Sequence, residues 1–374
     1  MANSNMVPIT TKYVHSKPLP LTKRGGHTDK PTRGDPSINK KWNTGLSSVA
    51  HFRESLIKEG ISGKAAELMS NARRKGTLSA YDSSWKKWGL WCSERNVDPF
   101  RCNLTFVLDF LSHLFEKGLE YRTIGVYRSA ISTSHHPIGG LNVGKHPQVC
   151  ELMKGVGNLK PPKPKFEKIW DVSQVLDYLK SLPDKKDLDL KNLTHKLTTS
   201  LGLMEVKRVL ELHSLDLSFM TKYENYYVFY LDTTVKHSKK GKVPPPIEFH
   251  SIPEEGRICP VNALNHYIEV TKPFRKENGV KSLLLSVHRP HKAITKSTVA
   301  NWIKKVLSNS GIDTQIYQAH SIRSASSSAA SVGGVSISDI LARGNWSNKN
   351  TREKFYHKEI VPSSKRYQQG LLKR

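Results

Sequence analysis

Apolar residues recur at helical spacing through most of this 374-residue chain and at strand spacing in only one short region. In SAYDSSWKKWGLWCSERNVDPF, Tyr81, Trp85, Trp88 and Cys92 lie four, three and four residues apart, which is one face of a helix, and Asp98-Pro99 ends that unit. NLTFVLDFLSHLFEKGL repeats the pattern through Phe106, Phe110, Leu114 and Phe115, with Gly118 as its C-terminal stop. EYRTIGVYRSAISTSHH predicts a third helix with Ile124, Tyr127 and Ile131 inward, which turns Arg122 and Arg128 outward. A further short helix is expected from Val149 to Val156. An aromatic stripe at this spacing is a core, so the tryptophans are read as packing residues.

Two stretches interrupt the periodicity. Residues 1–52 are rich in Lys, Pro, Gly, Ser and Thr and carry no sustained apolar period, the composition of a disordered basic arm. NLKPPKPKFEK, residues 158–168, has three prolines in four positions, and its Lys160, Lys163 and Lys165 make it a stiff, extended and positively charged linker. A helical domain over 53–157 and a second domain over 169–374 are therefore expected.

After the linker, WDVSQVLDYLKSL predicts a helix with Val172, Val175, Leu176 and Leu179 on one side. LTHKLTTSLGLMEVKRVLELHSLDLS reads as one long, mostly buried helix. NYYVFYLDTT is a dense run of strand formers, and VPPPIEFHSI supplies a return strand after a turn at KHSKKGK. The prolines place that return strand at a sheet edge, because proline cannot donate to a ladder. Helices follow around 261–270, 295–309, 320–332, 336–343 and 349–357. The expected fold is mainly α with a small antiparallel β-sheet.

Charge narrows the function. Fifty-nine Lys and Arg against 32 Asp and Glu give a net charge of +27, which favours a polyanionic partner and makes nucleic acid the leading one. A ribosomal or membrane-surface protein can be equally basic, so charge alone does not decide. No apolar run approaches the ~18 residues a bilayer span needs, and the first residues lack the apolar core of a secretory signal. A soluble intracellular protein without a membrane partner is expected. Cys92, Cys102, Cys150 and Cys259 form no C-x-x-C pair and have no His at zinc-ligand spacing, so reduced and packed thiols are expected.

The chemistry gathers near the C-terminal end, in AHSIRSASSSAASVGGVSISDILARGNWSNKNTREKFYHKE. There His320, Arg323, Trp346 and Tyr356 stand in a stretch built largely from Ser, Ala and Gly. RVLELHSLDL, HSIR, GNWSNKNT and KFYHKE, in this order, resemble the catalytic (α+β) domain of the tyrosine recombinases, the phage-integrase family. AYDSSWKKWGLWC and YRTIGVYRSAIS resemble that family's helical, SAM-like core-binding domain, and the style is closest to recombinases of DIRS-type eukaryotic mobile elements. The likeness spans roughly residues 60 to 360.

The resemblance implies that Arg208 is the first catalytic arginine, with Glu211 as a supporting carboxylate. His320 and Arg323 fill the H-x-x-R motif, Trp346 takes a position held by His or Trp, and Tyr356 is the nucleophile. Lys236, in the hairpin turn, matches the family's catalytic lysine, although Lys239, Lys240 and Lys242 share that turn. Tyr317 and Tyr367 are rival nucleophiles. Where the family usually carries glycine close before the first arginine, this chain has Met204, Glu205, Val206 and Lys207.

These residue types suit cleavage of a DNA strand by a phenol. Two guanidiniums can each fork onto phosphate oxygens, a geometry that lysine cannot copy, and an indole N–H can only donate. A phenol attacks poorly at neutral pH unless cations surround it, and a histidine can take or relay its proton. A 3′-phosphotyrosyl intermediate conserves bond energy, so no cofactor and no metal is expected. The small residues of SASSSAAS let their helix pack closely while His320 and Arg323 face the phosphate. The implied protein is a DNA-integrating recombinase of a mobile element, located in the nucleus. Double-stranded DNA would be its partner and a homotetramer its synaptic form, with Arg122, Arg128, Lys160, Lys163 and Lys165 as DNA contacts. A catalytically silent, domesticated DNA-binding relative and a type IB topoisomerase are the alternatives.

Overall fold

The computed structural model describes residues 48–163, 165–232, 245–346 and 349–360. Lys236, Tyr367 and most of the arm lie outside the described residues. Backbone contacts divide the chain between Pro162 and Lys163 into two compact units.

The first unit is helical: α1 Ser48–Lys58, α2 Gly63–Ser70, α3 Lys75–Ser93, α4 Leu104–Glu116, α5 Tyr121–Ser134 and α6 Pro147–Leu159. Helix α1 begins inside the stretch that composition assigned to the arm. The aromatic stripe is the core. Trp88 is fully buried, stacks on Trp91 at 5.6 Å between ring centroids and meets Phe110 at 5.0 Å. Its indole N–H donates to Pro99 O at 2.9 Å, so this large apolar ring is buried without an orphaned polar atom. Ile124, Tyr127 and Ile131 of α5 point inward, as their spacing requires. In α4 the inward face is turned from the expected one. Val107, Phe110, Leu111 and Leu114 are buried, whereas Phe106 and Phe115 are half-buried.

The basic residues expected on the outside of this unit divide. Arg122 is exposed, but Arg128 is half-buried and its Nε is enclosed without an acceptor among the described residues. The outward reading of Arg128 is thus corrected: part of its side chain, the Nε included, is withdrawn from solvent. Lys160 is engaged by Glu120 at 2.9 Å and by Gly118 O at 2.7 Å.

The second unit opens with β1 Lys168–Ile169, α7 Val172–Ser181, α8 Leu190–Met204 and α9 Val209–His213. A sheet of β2 Met220–Lys222, β3 Tyr226–Phe229 and β4 Ile247–His250 follows, in the order β2-β3-β4 and antiparallel throughout. Tyr227 pairs with Phe249 and Phe229 with Ile247, and β4 is an edge strand, as its preceding prolines demand. Then come α10 Pro260–Asn278, α11 Lys296–Asn309, α12 Ser321–Val332, α13 Ile337–Arg343, α14 Lys349–Phe355 and β5 Glu359–Ile360. Lys163 and Lys165 at the start of this unit are exposed.

Helix α8 is the axis of this unit, buried continuously from Leu193 to Leu203, with α10, α11 and α12 packed around it. Polar residues on a helix buried on every side gain by bonding within it. The hydroxyls of Thr194 and Thr198 do so by donating to the carbonyls four residues back, although those of Thr199 and Ser200 have no partner among the described residues. Gly202 brings α8 close to α12, since a Cβ there would lie 3.3 Å from Ile322 and Leu212 side-chain carbons.

Three features depart from the pattern read in the sequence. The long helix is two helices, α8 and α9, broken between Glu205 and Arg208. Helix α14 stops at Phe355, one residue before Tyr356. Strands β1 and β5 form a second, parallel pair of two residues each, too short to leave a sequence signature. No described helix is long and apolar enough to cross a membrane.

His195 is buried on α8 against Trp302. Burial lowers its pKa to about 4, the charges of Lys191 and Lys305 act in the same direction, and Asp189 opposes them. The folded chain holds this ring neutral while the unfolded chain protonates it near pH ~6.5. Its contribution is therefore complete above that pH and disappears as pH falls towards 4. We expect His195→Phe to lose less stability than the parent between pH 7 and pH 4.5, read as urea midpoints. Parallel curves for the two proteins would exclude this role for His195.

Candidate active site

The site begins at the break between α8 and α9. Val206 there has φ +52°, a left-handed conformation that costs a β-branched residue about 1–3 kcal/mol. This is where the glycine of the resembled family is missing: the chain makes the turn with valine instead. Val206 is buried with Ile340, Trp346 and Tyr356, so its side chain supplies packing that glycine would lack. Past the turn Arg208 caps α9. Its backbone N–H donates to Glu211 Oε2 at 2.6 Å and its Nη1 donates to Glu211 Oε1 at 3.2 Å. One buried carboxylate thus closes the helix end and holds the guanidinium in place.

Arg323 reaches the same carboxylate from α12, with Nη1 3.5 Å from Glu211 Oε2. It is fully buried, and it donates to Val206 O at 2.6 Å and to Gly344 O at 2.7 Å. Burial and the positive charge of Arg208 lower its pKa to about 10, against the pull of Glu211 and Tyr356, so it stays cationic at neutral pH. Two guanidiniums around one carboxylate leave one positive charge over. Arg323 Nε is enclosed and has no acceptor among the described residues.

Gly344 and its neighbours place the indole. Helix α13 ends in a Schellman motif: Asn345 is left-handed at φ +48°, its N–H donates to Ala342 O, and Trp346 N–H donates to Leu341 O at 2.9 Å. The triplet Gly344-Asn345-Trp346 folds the indole back over residue 344, where any Cβ would collide with the ring. Arg323 lies over that ring, 4.6 Å from its centroid. Trp346 Nε1 is a second enclosed donor without an acceptor among the described residues.

Tyr356 enters from the other side. Its ring lies 4.6 Å from Trp346 and 5.2 Å from the Arg323 guanidinium, and its hydroxyl oxygen is 3.2 Å from His320 Nε2. The residue is buried at 8% exposure although it follows the last turn of α14. His320 is the cap residue of α12 and is exposed, whereas Arg323, three residues on, is sealed inside. The two project from one end of the helix, as H-x-x-R spacing requires, yet into different environments.

Arg208, Glu211, His320, Arg323, Trp346 and Tyr356 therefore converge. Tyr317 does not join them: its hydroxyl donates to Lys168 O at 3.1 Å and its ring packs on Phe166. Sequence reasoning missed Val206 and a flanking set on the same turn. Lys207 donates to Arg343 O at 2.8 Å and Glu205 pairs with the Arg343 guanidinium. Burial raises the Glu205 carboxyl against the pull of Arg343, and burial lowers the Lys207 ammonium against the pull of Glu205. Asn345 before Trp346 was the one available signal, since asparagine tolerates a left-handed helix end. Among the described residues, no three His, Cys, Asp or Glu side chains are grouped to hold a metal ion.

Several solved structures share this architecture. XerH site-specific recombinase, bound to palindromic difH substrate in a post-cleavage complex, is 13% identical over 77% of this chain and 78% of that one, with a TM-score of 0.52. Its pre-cleavage complex with difH aligns at 12% identity over 82% of each chain, with a TM-score of 0.50. The Tn1549 transposon integrase, in complex with a circular intermediate DNA, aligns at 12% identity over 87% of this chain and 99% of that one, also at 0.50. No family model matches the sequence, and no curated protein is similar to it. The likeness is one of fold, and the fold is that of the tyrosine recombinases.

The left-handed turn predicts an inverted order of substitutions. Val206→Ala keeps the strained Cβ and loses packing, which costs about 1–3 kcal/mol. Val206→Gly loses a little more packing but relieves about 1–2 kcal/mol of backbone strain. In urea denaturation the glycine variant should be the more stable of the two. An alanine variant more stable than the glycine one would mean that residue 206 is not left-handed.

Proposed function

We propose that the chain is a DNA breaking-and-rejoining enzyme, a site-specific recombinase or integrase acting through a 3′-phosphotyrosyl intermediate. The observation that carries this reading is the Tyr356 hydroxyl 3.2 Å from His320 Nε2, beside a buried cluster where two arginines share one carboxylate. A phosphodiester is an anion, which suits a cluster where the cations of Arg208, Arg323 and Lys207 outnumber the Glu211 carboxylate. It also offers non-bridging oxygens to the enclosed N–H groups of Arg323 and Trp346.

The roles of the residues are part of the same proposal. Tyr356 Oη attacks the scissile phosphorus and passes its proton to His320. The phosphorus–O5′ bond breaks, the 3′-phosphate stays on the tyrosine, and the leaving 5′ oxygen takes a proton, for which Lys236 is the donor we assign. A 5′-hydroxyl from a second strand then reverses the sequence and reseals the DNA. Arg208 and Arg323 neutralise the charge that grows on the non-bridging oxygens, where a preorganised cation acts most strongly. Every step is balanced by protein groups and the two DNA strands.

DNA as the substrate is supported by the +27 charge and by neighbours of this fold that are described in complexes with difH and with circular intermediate DNA. Integration of a mobile element, a tetrameric synaptic complex and a nuclear site of action belong to the same proposal. So does DNA contact by the exposed Arg122, Lys163 and Lys165.

The test is a nicked duplex drawn from the DNA bordering the chain's own coding region, incubated in a chelator and run on a denaturing gel. The parent should give a protein-linked DNA band, and Tyr356→Phe and Arg323→Ala should give none. A mixture of those two variants should also give none, because His320 and Arg323 meet Tyr356 within one chain. Binding by the parent without a covalent band, or a band that persists in Tyr356→Phe, would overturn the reading.

A further inference from the structure

The serines of α12 do more than make room. Ser326 Oγ donates to Leu203 O, which fastens α12 to α8. Ser321 Oγ accepts from the Trp170 indole at 2.9 Å, which fastens the start of the helix beside β1. Ser328 is different, because it faces the nucleophile segment. Its hydroxyl donates to Tyr356 O at 3.1 Å and accepts from Lys358 N at 3.0 Å, and the residue is 1% exposed. One oxygen therefore bridges the backbone on both sides of His357.

Other contacts converge on the same few residues. Ser327 Oγ lies 3.4 Å from Tyr356 O. Arg352 is buried on α14, with Nη2 3.2 Å from His357 Nδ1 and 3.5 Å from Ser327 O. The amides of Tyr356 and His357 both donate to Arg352 O, at 2.7 and 2.8 Å, so α14 ends in a tight turn. Beyond it β5 pairs with β1. Between that turn and that strand, Ser328 makes hydrogen bonds on both flanks of His357. The Tyr356 ring is held through its hydroxyl and by packing on Trp346, Arg323 and the cluster of Val206 and Ile340, while its carbonyl is held by Ser327 and Ser328.

We infer that Ser328 is a positioning residue: its hydroxyl fixes the register of the Tyr356 backbone and so aims the phenol at the scissile phosphorus. The inference rests on the recombinase reading for its catalytic consequence, but the hydrogen-bonded bridge stands on the structure alone. An attack geometry displaced by about 1 Å slows a reaction by up to roughly a hundredfold, so loss of the bridge should be visible in rate and not in affinity.

The experiment compares Ser328→Thr with Ser328→Val in the full chain. The two side chains have nearly the same shape, and only threonine keeps the hydroxyl. Hydrogen–deuterium exchange of the peptide spanning Tyr356 to Lys358 should stay slow in the threonine variant and become faster in the valine one. In single-turnover cleavage of the nicked duplex, the valine variant should be roughly ten- to hundredfold slower than the threonine variant, at equal DNA affinity. Ser326→Ala, which removes a bond to α8 and none to Tyr356, should lower the thermal midpoint with little change in cleavage rate. Equal exchange in the threonine and valine variants overturns the bridge, and equal cleavage rates with unequal exchange overturn its positioning role. A parent chain that forms no covalent complex would count against the recombinase reading, and the exchange comparison would still decide the bridge.

Discussion

The buried guanidinium of Arg323 is the interaction on which the second unit's chemistry depends. It ties the carbonyl of a strained turn, Val206, to the carbonyl of a helix end, Gly344, and does so beside the carboxylate that also holds Arg208. The magnitudes favour the arrangement. A hydrogen bond from a charged group is worth about 1.5–3 kcal/mol, so two of them outweigh the ~1–3 kcal/mol of a left-handed valine. The charge itself is tolerable in the interior because Glu211 accompanies it, and an arginine buried without that partner would be strongly destabilising. Lysine cannot replace it, since a single ammonium on a flexible stem does not span two carbonyls in fixed directions.

From that constraint the rest of the site follows in order. The strained turn delivers Arg208 at the start of α9, the Schellman end of α13 delivers Trp346, and α12 delivers His320 at its exposed end. Each of these placements is made by backbone geometry first and by side-chain contact second. This is why Arg323 Nε and Trp346 Nε1 are held in place without acceptors among the described residues, while the other two guanidinium nitrogens donate to Val206 O and Gly344 O. A polar atom enclosed in this way is costly until it meets a hydrogen-bond partner. Preorganised donors around a developing charge are the arrangement that electrostatic catalysis needs.

Sequence periodicity made the helical unit legible because its helices bury one continuous face. Ile124, Tyr127 and Ile131 are one such row, and their burial needed no information beyond spacing. The same reasoning failed at LGLMEVKRVLEL, where apolar positions continue at helical spacing across a turn. A valine in a left-handed turn leaves no propensity signal, since its type argues for the opposite conformation. Helix α14 ends two residues before its periodicity does for a similar reason: the turn after Phe355 is held from outside by Ser328, thirty residues away from Lys358 in sequence. The serine-rich run shows its small size in sequence, whereas the partners of its hydroxyls, on α8, Trp170 and Tyr356, lie far from it along the chain. The motif residues were recognisable by order and spacing. The residues that hold them were not.

The short β1–β5 pair has a consequence in time. It brings Lys168 beside Glu359 across 191 residues of sequence, at 3.1 Å between the charged atoms. Chains are made from the N-terminus, and domains fold largely as units during synthesis. A nascent chain that has reached Arg343 already carries both arginines, Glu211 and His320, and can gather them around α8. It does not yet carry a phenol at position 356 or the strand that follows it. Gly344, Trp346 and Tyr356 are all made after Arg343, so the pairing of β5 with β1 can close the unit only once every residue of the site is present in the chain.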